Sequence, residues 1–238
     1  MIHQCASNSA RKELRMKKTL IALLVLLATT AALADGRADD IDRLQSGATV
    51  IQEIMSAPDS GVPEEVISKA KCIAVIPSML KAAFVVGGAY GKGVASCRTE
   101  KGWSAPAFFS LKGGSFGFQI GGQAADIVML VMNDQGMNGL LASKVKLGGD
   151  ASVAAGPVGR HADASTDWKM RAELLTYSRA RGVFAGISLN GAILMQHKED
   201  TRDFYGRMVP FSTILRGNIE SPKEAEIWHD ALVKYAGR

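Results

Sequence analysis

The side chains that most often catalyse reactions or bind metals are few in this sequence and lie far apart. Beyond residue 34 the histidines are His161, His197 and His229, and none has a His or Cys neighbour at the spacing of a zinc site. The G-x-S-x-G pattern of a serine nucleophile is absent, and Gly114–Gly117 (GSFG) matches it only loosely. We therefore expect no catalytic centre, no metal site and no cofactor.

Two glycine-rich segments resemble nucleotide-binding loops only superficially. In Gly87–Gly93 (GGAYGKG) three residues rather than four separate the glycines, and Gly rather than Ser or Thr follows the lysine. Gly156–Arg160 (GPVGR) lacks the G-x-G-x-x-G spacing of dinucleotide-binding folds. We interpret the first segment as a tight hairpin between two strands and the second as a turn.

Two carboxylates lie in segments that are otherwise apolar or glycine-rich. Asp126 precedes a long apolar run, and Asp150 follows two glycines. A carboxylate inside a packed strand must be paired or hydrogen-bonded, and Arg160, Arg179 and Arg181 are the candidate partners. We predict a structural polar network of Asp126, Asp150 and Arg160, with a ligand or metal site as the alternative.

Basic and apolar side chains alternate around one predicted turn. The apolar pair Met79 and Leu80 lies in Pro77–Lys81 (PSMLK), which ends in a lysine. Two more lysines precede it in Lys69–Lys71 (KAK). Such lysines can contact anionic head groups while apolar tips enter the membrane interface. The predicted lipid-binding residues are therefore Lys69, Lys71, Met79, Leu80 and Lys81. In the alternative interpretation the two apolar residues belong to the core and the lysines are simply solvated.

The N-terminus has the three parts of a secretory signal peptide. A basic segment, Arg11–Lys18, precedes the apolar stretch Leu20–Ala28, and small residues follow at Ala32–Ala34. The apolar stretch is shorter than the about 20 residues that span a bilayer, so we predict cleavage after Ala34 rather than an uncleaved anchor. Residues 1–15 are interpreted as an upstream extension. The predicted location is periplasmic or secreted, peripheral to the envelope membrane.

The charge and composition of residues 35–238 point to one folded domain. Removing residues 1–34 lowers the net charge from +5 to about +1, so a nucleic-acid partner is not expected. The hydrophobic content of the full sequence, 47%, excludes a disordered chain, and the length of residues 35–238 suits a single domain. Cys72 and Cys97 remain in this region. In an oxidising compartment they would form a disulfide worth about 3 kcal/mol, and two buried free thiols are the alternative.

The hydrophobic periodicity predicts an α+β fold. Spacings of three and four residues indicate an amphipathic helix over Asp39–Ala57. Pro63, with acidic residues behind it, indicates the start of a second short helix. Pro222 after a Ser221 cap indicates a C-terminal helix over Pro222–Tyr235. Between them, short apolar stretches alternate with glycines, which is typical of an antiparallel meander that is curved or barrel-like. The predicted strands are Cys72–Ile76, Ala83–Gly87, Gly93–Arg98, Ala105–Leu111, Ser115–Gly121, Ala124–Asn133, Lys144–Ala155, Glu173–Ala180 and Gly182–His197, with a short helix over Asp134–Ser143.

Five segments, in the right order, closely resemble the SYLF domain family, and in particular its secreted bacterial members. The similarity runs from about residue 40 to residue 235. Cys72 and Cys97 look like a pair shared with the bacterial members. The segments are Cys72–Val94, Trp103–Phe108, Gly121–Asn133, Lys146–Arg160 and Tyr177–Gly191.

The resemblance implies phospholipid binding, with phosphoinositide binding in eukaryotic members and actin binding in some of them. The Src-homology or FYVE modules of many eukaryotic members are not found in this sequence, and an exported protein would not meet actin. We therefore expect a non-catalytic module that binds phospholipid or an anionic membrane surface in the cell envelope, and we do not expect actin as a partner. A structural or protein-interaction domain of the envelope is the alternative, and an enzyme is the third hypothesis.

Overall fold

The computed structural model describes residues 36–57, 61–84, 86–114, 124–158, 172–180 and 183–237. These residues form ten strands and six α-helices, with one 3₁₀ turn at Lys223–Ala225. The strands are β1 (Cys72–Phe84), β2 (Val86–Thr99), β3 (Gly102–Trp103), β4 (Ala107–Gly114), β5 (Ala125–Val131), β6 (Lys144–Lys146), β7 (Val153–Ala155), β8 (Leu174–Ala180), β9 (Val183–Gly186) and β10 (Ile193–Gln196). The helices are α1 (36–56), α2 (Glu64–Lys69), α3 (Asp134–Leu141), α4 (Lys198–Tyr205), α5 (Phe211–Leu215) and α6 (Glu226–Ala236).

The strands build a single curled sheet that is antiparallel almost throughout. The order along the sheet is β6-β10-β4-β2-β1-β5-β8-β7, with β3 on β2 and β9 on β8. The pairing of β7 with β8 is parallel, and every other named pair in the described part of the chain is antiparallel. The sheet curls into a half-barrel with helices at both ends of the chain. The predicted α+β class with a curved, mainly antiparallel sheet is confirmed.

Both faces of the central strands are buried, because helices cover the sheet on two sides. On one face, α1, α2 and α6 contribute Leu44, Ile67 and Trp228 to a cluster with Ile73 and other sheet residues. On the other face, α3 and α5 pack over alternate positions of the same strands. All seven residues of β5 are consequently buried. This double coverage explains why its sequence, ADIVMLV, is a continuous apolar run rather than an alternating one.

The first two strands form one long hairpin, which corrects the interpretation of Gly87–Gly93 as a tight turn. Pairing of β1 with β2 extends from Cys72 opposite Cys97 to Phe84 opposite Val86, so the glycine-rich segment lies within β2. A Cβ atom at Gly93 would lie 2.5 Å from Phe109 Cζ and 2.5 Å from the Val75 carbonyl oxygen. Close approach of neighbouring strands therefore requires glycine there.

The two cysteines are joined across the start of this hairpin. The disulfide between Cys72 and Cys97 is present in the structure, and the two Cα atoms are 3.9 Å apart. Both residues are fully buried. Ser104 forms two hydrogen bonds with the backbone of Cys97. Its amide donates to the Cys97 carbonyl, and its hydroxyl accepts from the Cys97 amide. The disulfide and these hydrogen bonds tie β1, β2 and the segment after β3 together.

The helices agree with the sequence pattern at the ends of the domain and differ from it before the C-terminus. The predicted helices over Asp39–Ala57 and Pro222–Tyr235 correspond to α1 and α6. The pattern missed α4 and α5, which are only eight and five residues long. In the described part of the chain, no helix combines the length and the apolar character needed to cross a membrane.

Candidate functional site

The structure separates the residues that the sequence analysis grouped as a lipid site. Lys69 is exposed at the end of α2, and Lys71, just before β1, forms an ion pair with Asp134. Met79 is fully buried in the core, where it pairs with Ala125 of β5. Leu80 and Lys81 follow in β1, but their side chains lie outside the described residues.

The length of β1 decides how far apart these positions are. Lys71 immediately precedes this thirteen-residue strand, and Lys81 is its tenth residue. At about 3.3 Å per residue their backbones are roughly 30 Å apart. The predicted turn around Met79 is instead an irregularity within the strand, where the register with both neighbouring strands shifts. The five residues therefore do not share one small surface, and the lipid site they define stays a prediction.

Asp126 stabilises that irregularity. Its carboxylate accepts the Ser78 amide at 2.8 Å and the Arg179 Nε at 2.6 Å. Ser78 has a φ of 53°, in the left-handed region that non-glycine residues rarely adopt. Arg179 also forms an ion pair with Glu53 of α1. Asp126 therefore links β1, β8 and, through the arginine, the N-terminal helix.

Asp150, the second carboxylate of the predicted polar network, lies elsewhere in the sheet. Asp150 is exposed in the turn after β6, and its carboxylate accepts the Lys146 amide at 2.8 Å. Four strands separate β6 from β5, so Asp150 and Asp126 are at different places in the sheet. Arg160 lies outside the described residues. Arg181 also lies outside the described residues, and the third candidate, Arg179, lies beside Asp126.

Replacing Asp126 by alanine is expected to lower the free energy of unfolding by about 2 kcal/mol, because the Ser78 amide and the Arg179 guanidinium lose a buried acceptor. Urea denaturation of the variant and the wild type measures this. Asp150→Ala is the matched control and is expected to cost less than about 1 kcal/mol, since it removes one exposed hydrogen bond. Equal losses in the two variants would contradict this role for Asp126.

A second group of charges, not predicted from the sequence, ties α1 to the sheet. We call Asp40, Arg43, Lys92, His197 and Asp200 the ionic cluster. One carboxylate oxygen of Asp200 lies 2.9 Å from the Lys92 ammonium and 3.0 Å from His197 Nδ1, and the other accepts from Arg43 at 2.9 Å. Arg43 also binds Asp40 at 2.7 Å.

The pKa values of the two carboxylates of the ionic cluster are shifted in opposite directions. Burial and the nearby Asp200 charge raise the pKa of Asp40 from 3.8 to about 7, although Arg43 opposes this. Burial also acts to raise the pKa of Asp200, but hydrogen bonds from His197 and Lys92 outweigh it and lower that pKa to about 2. The remaining oxygen of Asp40 is buried and has no hydrogen-bond partner among the described residues. Charge is therefore held at Asp200, and Asp40 is neutral at mildly acidic pH.

The ionic cluster connects elements and does not have the arrangement of a reactive site. Asp200 is 5% exposed, and its oxygens are occupied by the groups described above. The nearby Thr201 hydroxyl donates to the His197 carbonyl, so it is engaged within helix α4 and does not donate to the imidazole. The contacts of the ionic cluster join α1, β2 and α4, so the cluster has a structural role on the helix-covered face.

Comparison with known families identifies the domain. Residues 112–235 match the family model described as "Ysc84: Las17-binding protein actin regulator". The chain belongs to the Ysc84 family. This is the SYLF family of the sequence resemblance, so that assignment is confirmed, whereas its bacterial detail is not supported. The Ysc84 family is a family of lipid-binding domains.

Several eukaryotic proteins are similar to this chain outside the matched segment as well. "SH3 domain-containing YSC84-like protein 1" of Rattus norvegicus is 36% identical over 179 residues, covering 74% of this chain and 52% of that protein. "Protein YSC84" of Saccharomyces cerevisiae is 33% identical over 172 residues, covering 71% of this chain and 36% of that protein. The matched region thus spans about half or less of these relatives.

These comparisons correct the expectation that actin is not a partner. The family is described as a Las17-binding actin regulator, and another yeast relative is named "LAS seventeen-binding protein 3". The names point to the actin machinery. The earlier expectation was wrong because it rested on export, which would have kept the chain away from actin. The relatives bear names of binding or regulatory proteins rather than of enzymes.

The predicted periplasmic or secreted location is wrong for the same reason. The relatives come from mammals and yeast, and the family description concerns actin, a component of the cell interior. The signal-peptide prediction that led to this location concerns residues 1–34, which lie outside the described residues. The boundary proposed at Ala34 lies there too.

Proposed function

We propose that this chain is a non-catalytic domain that binds the surface of anionic phospholipid membranes. The observation that carries the proposal is the match of residues 112–235 to a family of lipid-binding domains. The names of the relatives, which describe binding and regulation, favour a role without catalysis.

The packing of the sheet favours docking on a membrane surface over extraction of a lipid. Two clusters of buried side chains fill the two faces of the central strands. An acyl chain between the sheet and the helices would have to displace residues such as Phe109 or Trp228, which are fully buried. A lipid head group at the exterior displaces nothing.

Vesicle flotation tests this function. The purified chain is expected to float with vesicles that contain phosphatidylserine and to stay in solution with vesicles of phosphatidylcholine alone. The reason is that lysines are attracted electrostatically to anionic lipids and not to neutral ones. Raising the salt concentration from 0.1 M to 1 M is expected to release the protein, since screening shortens the reach of its charges. Equal binding to neutral and anionic vesicles, or none to either, would refute the proposal.

Binding to a protein of the actin machinery is the second candidate function, favoured by the printed description of the family as a Las17-binding actin regulator. Co-sedimentation with actin filaments in the absence of lipid measures it. Co-sedimentation by a chain that does not float with anionic vesicles would make this the better proposal. Flotation without co-sedimentation would leave membrane binding as the function.

A further inference from the structure

The strand register brings four lysines from distant parts of the sequence onto one face of the sheet. Lys144 of β6 lies opposite Met195 of β10, which lies opposite Ser110 of β4, which in turn lies opposite Lys92 of β2. In the adjacent row the same strands place Lys146, Ile193, Lys112 and Tyr90 in line. Strands are about 4.8 Å apart, so the four lysine backbones lie within roughly 15 Å. We call these lysines with Tyr90, Ile193 and Met195 the lysine face.

Alternation along each strand separates this face from the core. Val145, Leu194 and Leu111 occupy the intervening positions and are buried on the other side of the sheet. On the lysine face, Lys112, Lys144 and Lys146 are exposed. The helices that cover this side of the sheet pack over Val94 and Phe108, which pair with each other and form the next row of the same face. Among the described residues, the lysine face is therefore the end of this side where Lys112, Lys144 and Lys146 remain exposed.

The lysine face combines positive charge with apolar surface. Tyr90 is 39% exposed, and the Lys112 ammonium lies 5.4 Å from the centre of its ring. Ile193 and Met195 are partly buried between the lysines. Tyrosine is a residue that favours the boundary between head groups and acyl chains, because its ring is apolar and its hydroxyl is polar.

Three of the four lysines carry charge that is not neutralised nearby. Lys92 forms the ion pair with Asp200 and belongs to the ionic cluster. Across the described ranges, no carboxylate lies within ion-pair distance of Lys112, Lys144 or Lys146. The Asp150 carboxylate accepts the backbone amide of Lys146 and forms no ion pair with the Lys146 ammonium among the described residues.

We propose that the lysine face is the surface that docks on an anionic phospholipid bilayer, through Lys112, Lys144 and Lys146 with Tyr90 at the head-group level. The proposal rests on the membrane-binding function proposed above and names its surface. The lysines lie on strands of a packed sheet, so their backbones need not rearrange when the face contacts a bilayer. Lysine ammoniums act as point charges rather than as bidentate forks, which suits a diffuse layer of head groups better than one enclosed phosphate.

Charge reversal tests the assignment. The triple variant K112E/K144E/K146E is expected to reduce partitioning onto vesicles containing phosphatidylserine by at least about 100-fold, since each lysine near an anionic surface is worth about fivefold. The matched control K101E/K223E/K234E makes the same charge change at exposed lysines at the other end of β2 and near the C-terminus. It is expected to retain most of the binding. Unchanged circular dichroism and melting temperature verify that both variants are folded.

The outcomes separate this surface from the function itself. A wild-type chain that does not bind anionic vesicles refutes both proposals. If the wild type binds and the triple variant binds equally well, the lysine face is not the docking surface, although the membrane-binding function stands. The same conclusion follows if K69E/K71E loses binding while the triple variant keeps it. A triple variant that still floats but no longer co-sediments with actin filaments would assign the face to a protein partner and overturn the membrane assignment. Retention of wild-type binding by K112R/K144R/K146R would support a requirement for positive charge at these positions.

Discussion

The substitution Gly93→Ala is expected to destabilise the domain by at least about 3 kcal/mol, at the upper end of the cost of overpacking. The added methyl group would lie 2.5 Å from Phe109 Cζ, 2.5 Å from the Val75 carbonyl oxygen and 2.8 Å from Ile76 Cγ1. The carbonyl belongs to the paired strand β1, so it cannot move without breaking the sheet. The fully buried phenyl ring has no space to rotate away.

Gly88→Ala is the matched control in the same strand. No heavy atom lies within 4 Å of a Cβ built at Gly88, so the methyl group meets open space. The control is expected to change the free energy of unfolding by less than about 0.5 kcal/mol. Urea denaturation of the two variants measures the contrast. A Gly93→Ala variant as stable as the control would show that β1 and β2 do not approach as closely as described.

The stability of the wild type is expected to fall by about 2 kcal/mol between pH 5 and pH 8 through Asp40. Burial raises the pKa of this carboxyl from 3.8 to about 7, so the folded state holds its proton over a range in which the unfolded state has lost it. A group with a raised folded pKa stabilises the protein below its unfolded pKa, and this contribution is lost as pH rises toward 7. The low pKa of Asp200, about 2, places its own effect below this window.

Asp40→Asn is expected to reduce this pH dependence, because an amide stays neutral at every pH. The free energy of unfolding, measured by urea denaturation at pH 5 and pH 8, should differ less in the variant than in the wild type. Asp39→Asn is the control, since Asp39 is exposed beside it in α1 and should leave the pH profile unchanged. A profile in Asp40→Asn that is as steep as that of the wild type would assign the pH dependence to another group.

The ionic cluster fixes the position of Lys92, the innermost lysine of the lysine face. Asp200 holds Lys92 and Arg43 with its two oxygens, so the innermost lysine of the face is fixed to α4 and, through Arg43, to α1. The three outer lysines project from strands that this cluster and the core hold in place. A surface built on a rigid sheet loses little conformational entropy when it binds a membrane.

Elements with a local signal were predictable from the amino-acid sequence. Spacings of three and four residues indicated the first helix, and Pro222 with the acidic residues after it indicated the last one. The apolar run in β5 indicated a strand, because each of these signals follows directly from the geometry of a single element. Asn133 caps α3 through its side chain, which accepts the Gly136 amide, and the short helix there was predicted. The segments that resemble the SYLF family led to the correct family, whereas the N-terminal pattern led to the wrong location.

Which distant residues meet depends on the packing of the whole domain. Nothing in PSMLK reveals that Met79 is buried beside Ala125, because that pairing involves a strand 46 residues further along the chain. The period-two pattern of Lys144-Val145-Lys146 indicates a strand with two lysines on one side, but only the register with β10, β4 and β2 places Lys112 and Tyr90 beside them. A one-residue slip would move every one of these side chains to the opposite face. Spacing within a segment is a local property, whereas pairing between strands is set by the packing of the whole domain.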